Sequence, residues 1–248
     1  MKKVLNRIDE SEYDLIIDMQ NNLKSAFLSF MCNSSVTGLD AKSAREYPAH
    51  LAYKKKIMVP KAMHAIQRQK QLLASALGYK TDTENTDYGI SKANFKKPLD
   101  MPSNKYAICV QNASWITKQW PIESWKELLR ILEKRDINLL FPSGNQEEFD
   151  RANEICSVSE KALALEVLPL NEIAFLIDNS EFTLCSDTGL AHLSAVVGTP
   201  SLTLYGPTDT RLIGTYGENQ NHFVSPDSDI SKISVEEVLA KLEKLNFL

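Results

Sequence analysis

The sequence predicts an α/β protein built on parallel, doubly wound sheets. Short apolar runs alternate with stretches of helical spacing along much of the 248 residues, and this alternation is typical of repeated strand–helix units. Glycine and proline mark the ends of these units, as in the segment 198–200 that stops a predicted helix. Right-handed crossovers bring the strand-to-helix loops to one edge, so polar residues in those loops are expected to meet there.

The two halves of the chain differ in regularity. In the first half we predict strands at 13–19 and 36–40 and helices at 21–31 and 62–77. In the second half we predict strands at 106–110, 137–141, 163–168, 182–185, 202–205 and 222–225, and helices at 121–132, 147–156, 171–177, 190–197 and from Ser234 onward. The polar leader before residue 13 and the absence of glycine before Gly38 indicate an incomplete first domain.

Residues 41–60 are basic and irregular, and polar residues 80–104, with Pro98 and Pro102, predict a linker. We therefore expect an N-terminal domain at 1–98 and a C-terminal domain at 99–248. The net charge of −4 and pI of 5.7 argue against nucleic-acid binding. No apolar run has the length of a membrane span.

The 4 cysteines are scattered, which argues against zinc, and Cys109 and Cys185 are predicted to be buried thiols in strands. The three tryptophans, Trp115, Trp120 and Trp125, are predicted to pack in the core. An isolated acid, Asp209, is weak evidence for a metal site because no second carboxylate lies near it in the sequence.

The strongest functional motif is Asp187-Thr-Gly-Leu-Ala-His192, which follows an apolar strand and opens a helix. Asp187 can cap that helix, Thr188 and Gly189 offer backbone N–H groups to a pyrophosphate, and His192 lies one turn further on. The alternative is an ordinary capped helix with a packed histidine.

Two other strand-to-helix loops carry candidates. Ser114 and Lys118 follow the strand at 106–110, where an ammonium group can offset charge on a departing diphosphate. Glu147 and Glu148 follow the strand at 137–141, where a carboxylate can hold ribose hydroxyls. The alternatives are a solvated lysine and first-turn acids that stabilise a helix dipole. Chemistry alone does not separate the two glutamates.

The first half carries basic candidates. Lys24 and Arg45, with the lysines at 54–56, can form a face for an anionic acceptor or a membrane surface. Solvated surface charge is the alternative, and it is favoured for the run at 54–56.

Together these motifs resemble the lipopolysaccharide heptosyltransferases of glycosyltransferase family 9. The resemblance is carried by Ser186-Asp-Thr-Gly-Leu-Ala-His192, Tyr205-Gly-Pro-Thr-Asp209 and the segment 212–220, in order and with the family's spacing. The last of these favours the branch that adds the first heptose over the branch that adds the second. The resemblance implies a GT-B fold with two Rossmann-like domains. It also implies inverting transfer of L-glycero-D-manno-heptose from ADP-heptose to Kdo on the lipid A precursor, without a metal or other cofactor.

The resemblance also implies roles for individual residues. Lys118 and Asp187 would stabilise the donor and its leaving group; the donor-binding residues would be Ser114, Lys118, Glu148, Leu168 beside adenine, Asp187, Thr188, Gly189 and His192. Lys24 and Arg45 would belong to the acceptor side. The expected protein is a monomer on the cytoplasmic face of the inner membrane, in peripheral contact with it.

Two departures from the family pattern matter. The family's Thr-Thr pair is Ala113-Ser114 here, and Ala113 cannot donate to a phosphate. The family's first strand and the glycine loop with the proposed aspartate base have no counterpart, so we expect a truncated member that binds ADP but transfers little or no heptose. The alternatives are an inactive nucleotide-sugar-binding fragment or pseudoenzyme, or a member of the branch that adds the second heptose.

Overall fold

The computed structural model describes residues 2–11, 13–99 and 104–248, and the chain divides into two compact units. Unit 1 extends to Asn85 and includes Arg211–Ile213, whereas unit 2 comprises Thr86–Thr210 and Gly214–Leu248.

The observed division precedes the boundary predicted at residue 98, because residues after Asn85 contact unit 2. Phe95 packs against one of its core clusters, and the Lys96 N–H donates to the Asn171 carbonyl over 3.2 Å. The predicted linker therefore contributes to unit 2, while residues 100–103, including Pro102, lie outside the described residues.

Unit 1 contains a three-stranded parallel sheet in the order β1-β2-β3. Its elements are α1 (Lys2–Glu10), β1 (Ile16–Ile17), α2 (Leu23–Met31), β2 (Val36–Leu39), β3 (Lys55–Ile57) and α3 (Ala65–Leu77). Neither α1 nor β3 is predicted by the sequence. In β3 only Ile57 is buried, since the strand lies at the sheet edge and its lysines face solvent.

A buried aspartate holds the turn between β1 and α2. Asp18 Oδ1 accepts the backbone N–H groups of Gln20 and Asn21, each over 3.0 Å, and Asp18 Oδ2 accepts the Tyr53 hydroxyl over 2.7 Å. Burial and the bond to Asp18 raise the pKa of Tyr53. Asn22 then caps α2 by accepting the Ser25 N–H over 2.9 Å. These contacts fix the orientation of α2 on unit 1.

Unit 2 contains a six-stranded parallel sheet in the order β6-β5-β4-β7-β8-β9. Its strands are β4 (Tyr106–Val110), β5 (Asn138–Ser143), β6 (Ala162–Val167), β7 (Thr183–Ser186), β8 (Ser201–Tyr205) and β9 (Gln220–Val224). The helices of the second half of the chain are α4 (Ile122–Leu132), α5 (Gln146–Cys156), α6 (Leu170–Asp178), α7 (Gly189–Val197), α8 (Thr210–Ile213) and α9 (Val235–Lys244). The predicted elements of this half are all present, with ends within about two residues of the prediction, and the one-turn helix α8 is additional.

Aromatic packing holds one face of this sheet. Trp125 lies edge-on between Trp120 and Phe141, with ring centroids 5.1 and 5.6 Å apart, and Trp120 Nε1 donates to the Ile233 carbonyl over 2.9 Å. The predicted core roles of Trp120 and Trp125 are confirmed. The same prediction for Trp115 is wrong: its side chain is exposed, because it lies in the loop after β4 rather than on an element facing the core.

Cys109 and Cys185 are buried in the neighbouring strands β4 and β7, as predicted. Burial raises the pKa of the Cys185 thiol to about 12. Along the part of the chain that the structure describes, no helix is long and apolar enough to cross a membrane.

Candidate functional site

A cavity of about 250 Å³ lies in unit 2 at the carboxyl ends of the central strands. The sheet order reverses between β4 and β7, and ligands of doubly wound sheets bind at this switch point. Four of the predicted donor-binding residues line the cavity: Ser114, Glu148, Leu168 and Thr188. Ser114, Leu168 and Thr188 come from loops and Glu148 comes from the first turn of α5, and the parallel sheet brings them together.

An ion pair lies at the same edge of the sheet. Lys118 Nζ is 2.7 Å from Asp187 Oδ2, and the two side chains are 26% and 8% exposed. Thr208, which follows β8, donates its hydroxyl to the same oxygen of Asp187. Asp187 therefore links loops after β4, β7 and β8, although neither Lys118 nor Asp187 lines the 250 Å³ cavity.

The expectation that Asp187 caps α7 is wrong. The N-cap residue is Thr188, and its side chain makes no capping hydrogen bond. The Asp187 carboxylate is directed instead to Lys118 and Thr208, because an ammonium and a hydroxyl satisfy a buried carboxylate. From its position at the end of β7, Asp187 therefore orients the Lys118 ammonium group.

The start of α7 is open to a ligand. Gly189 is exposed, and a β-carbon added there would meet no atom within 4 Å. The first backbone N–H groups of a helix have no partner within the helix, so they can bind an anion. His192 lies further along α7, is partly buried, and does not line the cavity.

The structure distinguishes the two adjacent glutamates. Glu148 lines the 250 Å³ cavity, and its Oε2 accepts the Gly144 N–H over 2.8 Å. Glu147 does not line this cavity. It lines an adjoining cavity of about 640 Å³, which Ser114 and Glu148 also border. Only Glu148 therefore reaches the space shared with Leu168 and Thr188.

Sequence reasoning missed several residues of the site. Asn112 and Ser143 line the cavity, and each is more than nine-tenths buried. Their Nδ2 and Oγ atoms have no hydrogen-bond partner among the residues that the structure describes. Thr208, which is buried and donates to Asp187, is also missed; its neighbour Asp209, weak evidence for a metal site in the sequence, is exposed. Their position in the sequence could have indicated them, since each missed residue ends or closely follows a strand of this sheet.

The acceptor-side candidates occupy different places in unit 1. Arg45 borders a cavity of about 470 Å³, together with Lys61 and Arg68. The Nε atom of Arg68 is buried without a partner in the described part of the chain. Lys24 is exposed on α2 and does not border this cavity.

The sheet and site suit a negatively charged nucleotide ligand. Searching residues 2–11, 13–99 and 104–248 finds no group of three or more His, Cys, Asp or Glu side chains that can hold a metal ion. Metal independence stays a prediction. Parallel sheets, a cavity at a topological switch point, and a cation beside a helix N-terminus are typical of doubly wound proteins that bind nucleotides.

Comparison with known proteins supplies the family. A model described as glycosyltransferase family 9 (heptosyltransferase) matches residues 1–242, so the chain belongs to this family. A curated relative, lipopolysaccharide heptosyltransferase 1 of Escherichia coli K12, is 34% identical over 242 residues, which cover 96% of this chain and 75% of the relative.

Two solved structures are also similar. E. coli heptosyltransferase WaaC with ADP matches with a TM-score of 0.88 and 32% identity, covering 98% of this chain and 76% of that one. The same enzyme with ADP-2-deoxy-2-fluoro heptose matches with a TM-score of 0.86 and 31% identity, at the same coverage. These matches confirm the predicted GT-B fold class.

Proposed function

We propose that this chain is a lipopolysaccharide core heptosyltransferase that takes ADP-heptose as donor and Kdo of the lipid A precursor as acceptor, with inversion and without a metal. The observation that carries the proposal is the cavity shared by Ser114, Glu148, Leu168 and Thr188, beside the Lys118–Asp187 pair. Structures with 31% and 32% identity to this chain are described as complexes with the fluoro heptose analogue and with ADP.

The donor would lie along the carboxyl edge of the sheet of unit 2. Glu148 would accept hydrogen bonds from the ribose hydroxyls, while Leu168 provides apolar surface for the base. The diphosphate would reach the N-terminus of α7 at Thr188 and Gly189, where N–H groups and the helix dipole favour an anion. His192 is proposed to face the diphosphate and sugar from the next turn.

Lys118 supplies the positive charge for bond cleavage. Negative charge develops on the diphosphate as the bond to the anomeric carbon breaks, and a cation held in place stabilises that charge without reorganisation. Asp187 and Thr208 restrict where the ammonium group lies. An ammonium has three N–H donors, so the bond to Asp187 leaves others for phosphate oxygens.

The acceptor is proposed to bind unit 1 through its anionic groups. Arg45 and Arg68 border the 470 Å³ cavity, and the Arg68 Nε, which has no partner among the described residues, is a donor suited to a carboxylate or phosphate oxygen. Replacement of both by glutamine would weaken binding of the acceptor with little effect on ADP binding.

The acceptor is a lipid, and α2 supports peripheral membrane contact. Its small residues Ala26 and Ser29 are buried, whereas the large side chains of Phe27 and Phe30 are 50% and 76% exposed. Lys24 stands beside this apolar face, and cationic residues next to apolar ones favour anionic lipid surfaces. The face suits contact with the cytoplasmic leaflet.

Calorimetry with ADP tests the donor site directly. The wild-type chain is expected to bind ADP, and Lys118→Ala and Asp187→Ala are each expected to weaken binding about tenfold or more. Lys126→Ala is a matched control, because Lys126 also pairs with carboxylates, those of Glu123 and Glu154, but does not line the 250 Å³ cavity. If the wild type does not bind, or if neither substitution weakens binding, the proposed donor site is wrong.

A further inference from the structure

A partly buried arginine joins α5 to the loop that carries Lys118. Arg151 lies on α5 three residues after Glu148, so the two residues are neighbours on the surface of this helix. Arg151 Nε donates to Gln111 Oε1 over 2.8 Å, and Arg151 Nη2 donates to the Trp120 carbonyl over 3.1 Å. Gln111 directly follows β4, and Trp120 lies two residues after Lys118. One guanidinium group therefore holds both ends of the loop.

The side chain of Gln111 extends this arrangement to the backbone of Glu148. It is completely buried, and its Nε2 donates to the Glu148 carbonyl over 3.2 Å while its Oε1 accepts from Arg151. Both polar atoms of the amide are thus bonded, as the burial of a polar side chain requires. The first turn of α5 is therefore tied to the end of β4.

The loop itself is closed between these two anchors. Gln119 Nε2 donates to the Ala113 carbonyl over 2.9 Å. Trp120 is fully buried, and its Nε1 donates to the Ile233 carbonyl. A loop with fixed ends and an internal hydrogen bond has few conformations, so its lysine is held in place before a ligand arrives. Such preorganisation increases affinity, because less freedom is lost on binding.

We infer that Arg151 is a positioning residue for the nucleotide donor, an inference that rests on the proposed function. Through Gln111 it holds the turn of α5 that carries Glu148, and through Trp120 it holds the loop that carries Lys118. The proposed ligands of the ribose and of the diphosphate are thereby kept at a fixed separation, so that one nucleotide reaches both. A guanidinium suits this role because its N–H donors lie in one rigid plane, whereas an ammonium is a compact charge on a flexible stem.

Calorimetry with ADP and 2′,3′-dideoxy-ADP tests the inference, because the second nucleotide keeps the base and the diphosphate but lacks both ribose hydroxyls. The wild type is expected to prefer ADP by about tenfold, through hydrogen bonds to the Glu148 carboxylate. Arg151→Met keeps an unbranched side chain but removes both hydrogen bonds of the guanidinium. Gln111→Glu keeps an acceptor for Arg151 but removes the donor to the Glu148 carbonyl. Each substitution should reduce the preference for ADP to less than about threefold.

The preference is the decisive measurement because a loss of stability alone does not change it. A variant that is only less stable binds both nucleotides through the same folded fraction, so their ratio of affinities stays that of the wild type. Urea denaturation measures the folded fraction of each variant. Gln111→Glu, the smaller change, carries the test if Arg151→Met does not fold.

Arg135→Met is the matched control. The guanidinium of Arg135 also donates a hydrogen bond, to Glu243 over 2.7 Å, but Arg135 lines neither the 250 Å³ nor the 640 Å³ cavity. This variant should keep the wild-type affinity for both nucleotides.

The outcomes separate this inference from the proposed function. A wild-type preference for ADP that persists unchanged in Arg151→Met and Gln111→Glu overturns the positioning role and leaves the donor site standing. A wild type that does not bind ADP, or that binds the two nucleotides equally, overturns the proposed donor site and the inference with it.

Discussion

Lys118 Nζ lies 2.7 Å from Asp187 Oδ2, and the carboxylate is much more buried than the ammonium. Removing the lysine leaves a buried carboxylate with fewer donors, whereas removing the aspartate leaves a cation that reaches solvent. The two residues are therefore expected to differ in their effect on folding while sharing an effect on donor binding.

A double-mutant cycle tests this asymmetry. Lys118→Met should lower the free energy of unfolding by about 1–3 kcal/mol, since breaking a partly buried pair strands the Asp187 charge. Asp187→Asn should cost less, and the double variant should be more stable than the sum of the single effects. Urea denaturation measures the three values; strict additivity would mean that the pair contributes no coupling.

Glu148 should be required for ADP binding and Glu147 should not. Glu148→Ala removes both a group lining the cavity and the acceptor of the Gly144 N–H, so ADP affinity should fall about tenfold. Glu147→Ala is the matched control on the same helix turn. Equal effects of the two variants on the dissociation constant would refute the assignment of Glu148 to the ribose.

The exposed face of α2 should bind anionic membranes. Replacing Phe27 and Phe30 with serine should reduce co-sedimentation with phosphatidylglycerol vesicles about tenfold or more, because each phenylalanine loses apolar contact with lipid. Leu77→Ser with Tyr79→Ser is the control, since these residues are also exposed on unit 1. The contrary result is a wild type that does not bind vesicles but forms a dimer in sedimentation velocity, and a serine variant that does not form this dimer. That result would identify a second copy of the chain as the partner of this face.

Stability should fall in alkaline solution. Burial raises the pKa of Cys156 and Cys185 to about 12 from an ordinary value of 9.0. Their contribution to stability is complete below about pH 9, where both states hold the proton. It is lost as pH rises toward 12, because only the unfolded thiols release protons readily.

Urea denaturation between pH 8 and pH 11 measures this loss. The same burial should keep Cys109, Cys156 and Cys185 unreactive toward a thiol reagent at pH 8, while the partly exposed Cys32 reacts first. Replacement of Cys156 and Cys185 by alanine should flatten the alkaline slope. A slope that persists unchanged in this variant would assign the effect to other buried groups whose pKa is raised, such as Cys109, Tyr106 and Tyr205.

Strand and helix positions in unit 2 could be predicted because the hydrophobic pattern there is strongly periodic. In unit 1 the pattern predicts β1, α2, β2 and α3, but it does not predict β3, which carries Lys55 and Lys56, or α1, which begins with two lysines and ends with two acids. Both elements are marginal in local sequence, and contacts with the rest of the unit decide whether they form. A pattern read along the chain does not contain those contacts.

The sequence by itself determined the fold class and the family, and it predicts donor-binding candidates at Lys118, Asp187 and the Glu147–Glu148 pair. Only the tertiary structure decided that Asp187 binds Lys118 and Thr208 instead of capping α7, and that Glu148 and not Glu147 lines the 250 Å³ cavity. It also shows that Asn112 Nδ2 and Ser143 Oγ are buried without a partner among the described residues. The reason is physical: local periodicity fixes where strands end, whereas side-chain partners depend on which loops the parallel sheet brings together at one edge.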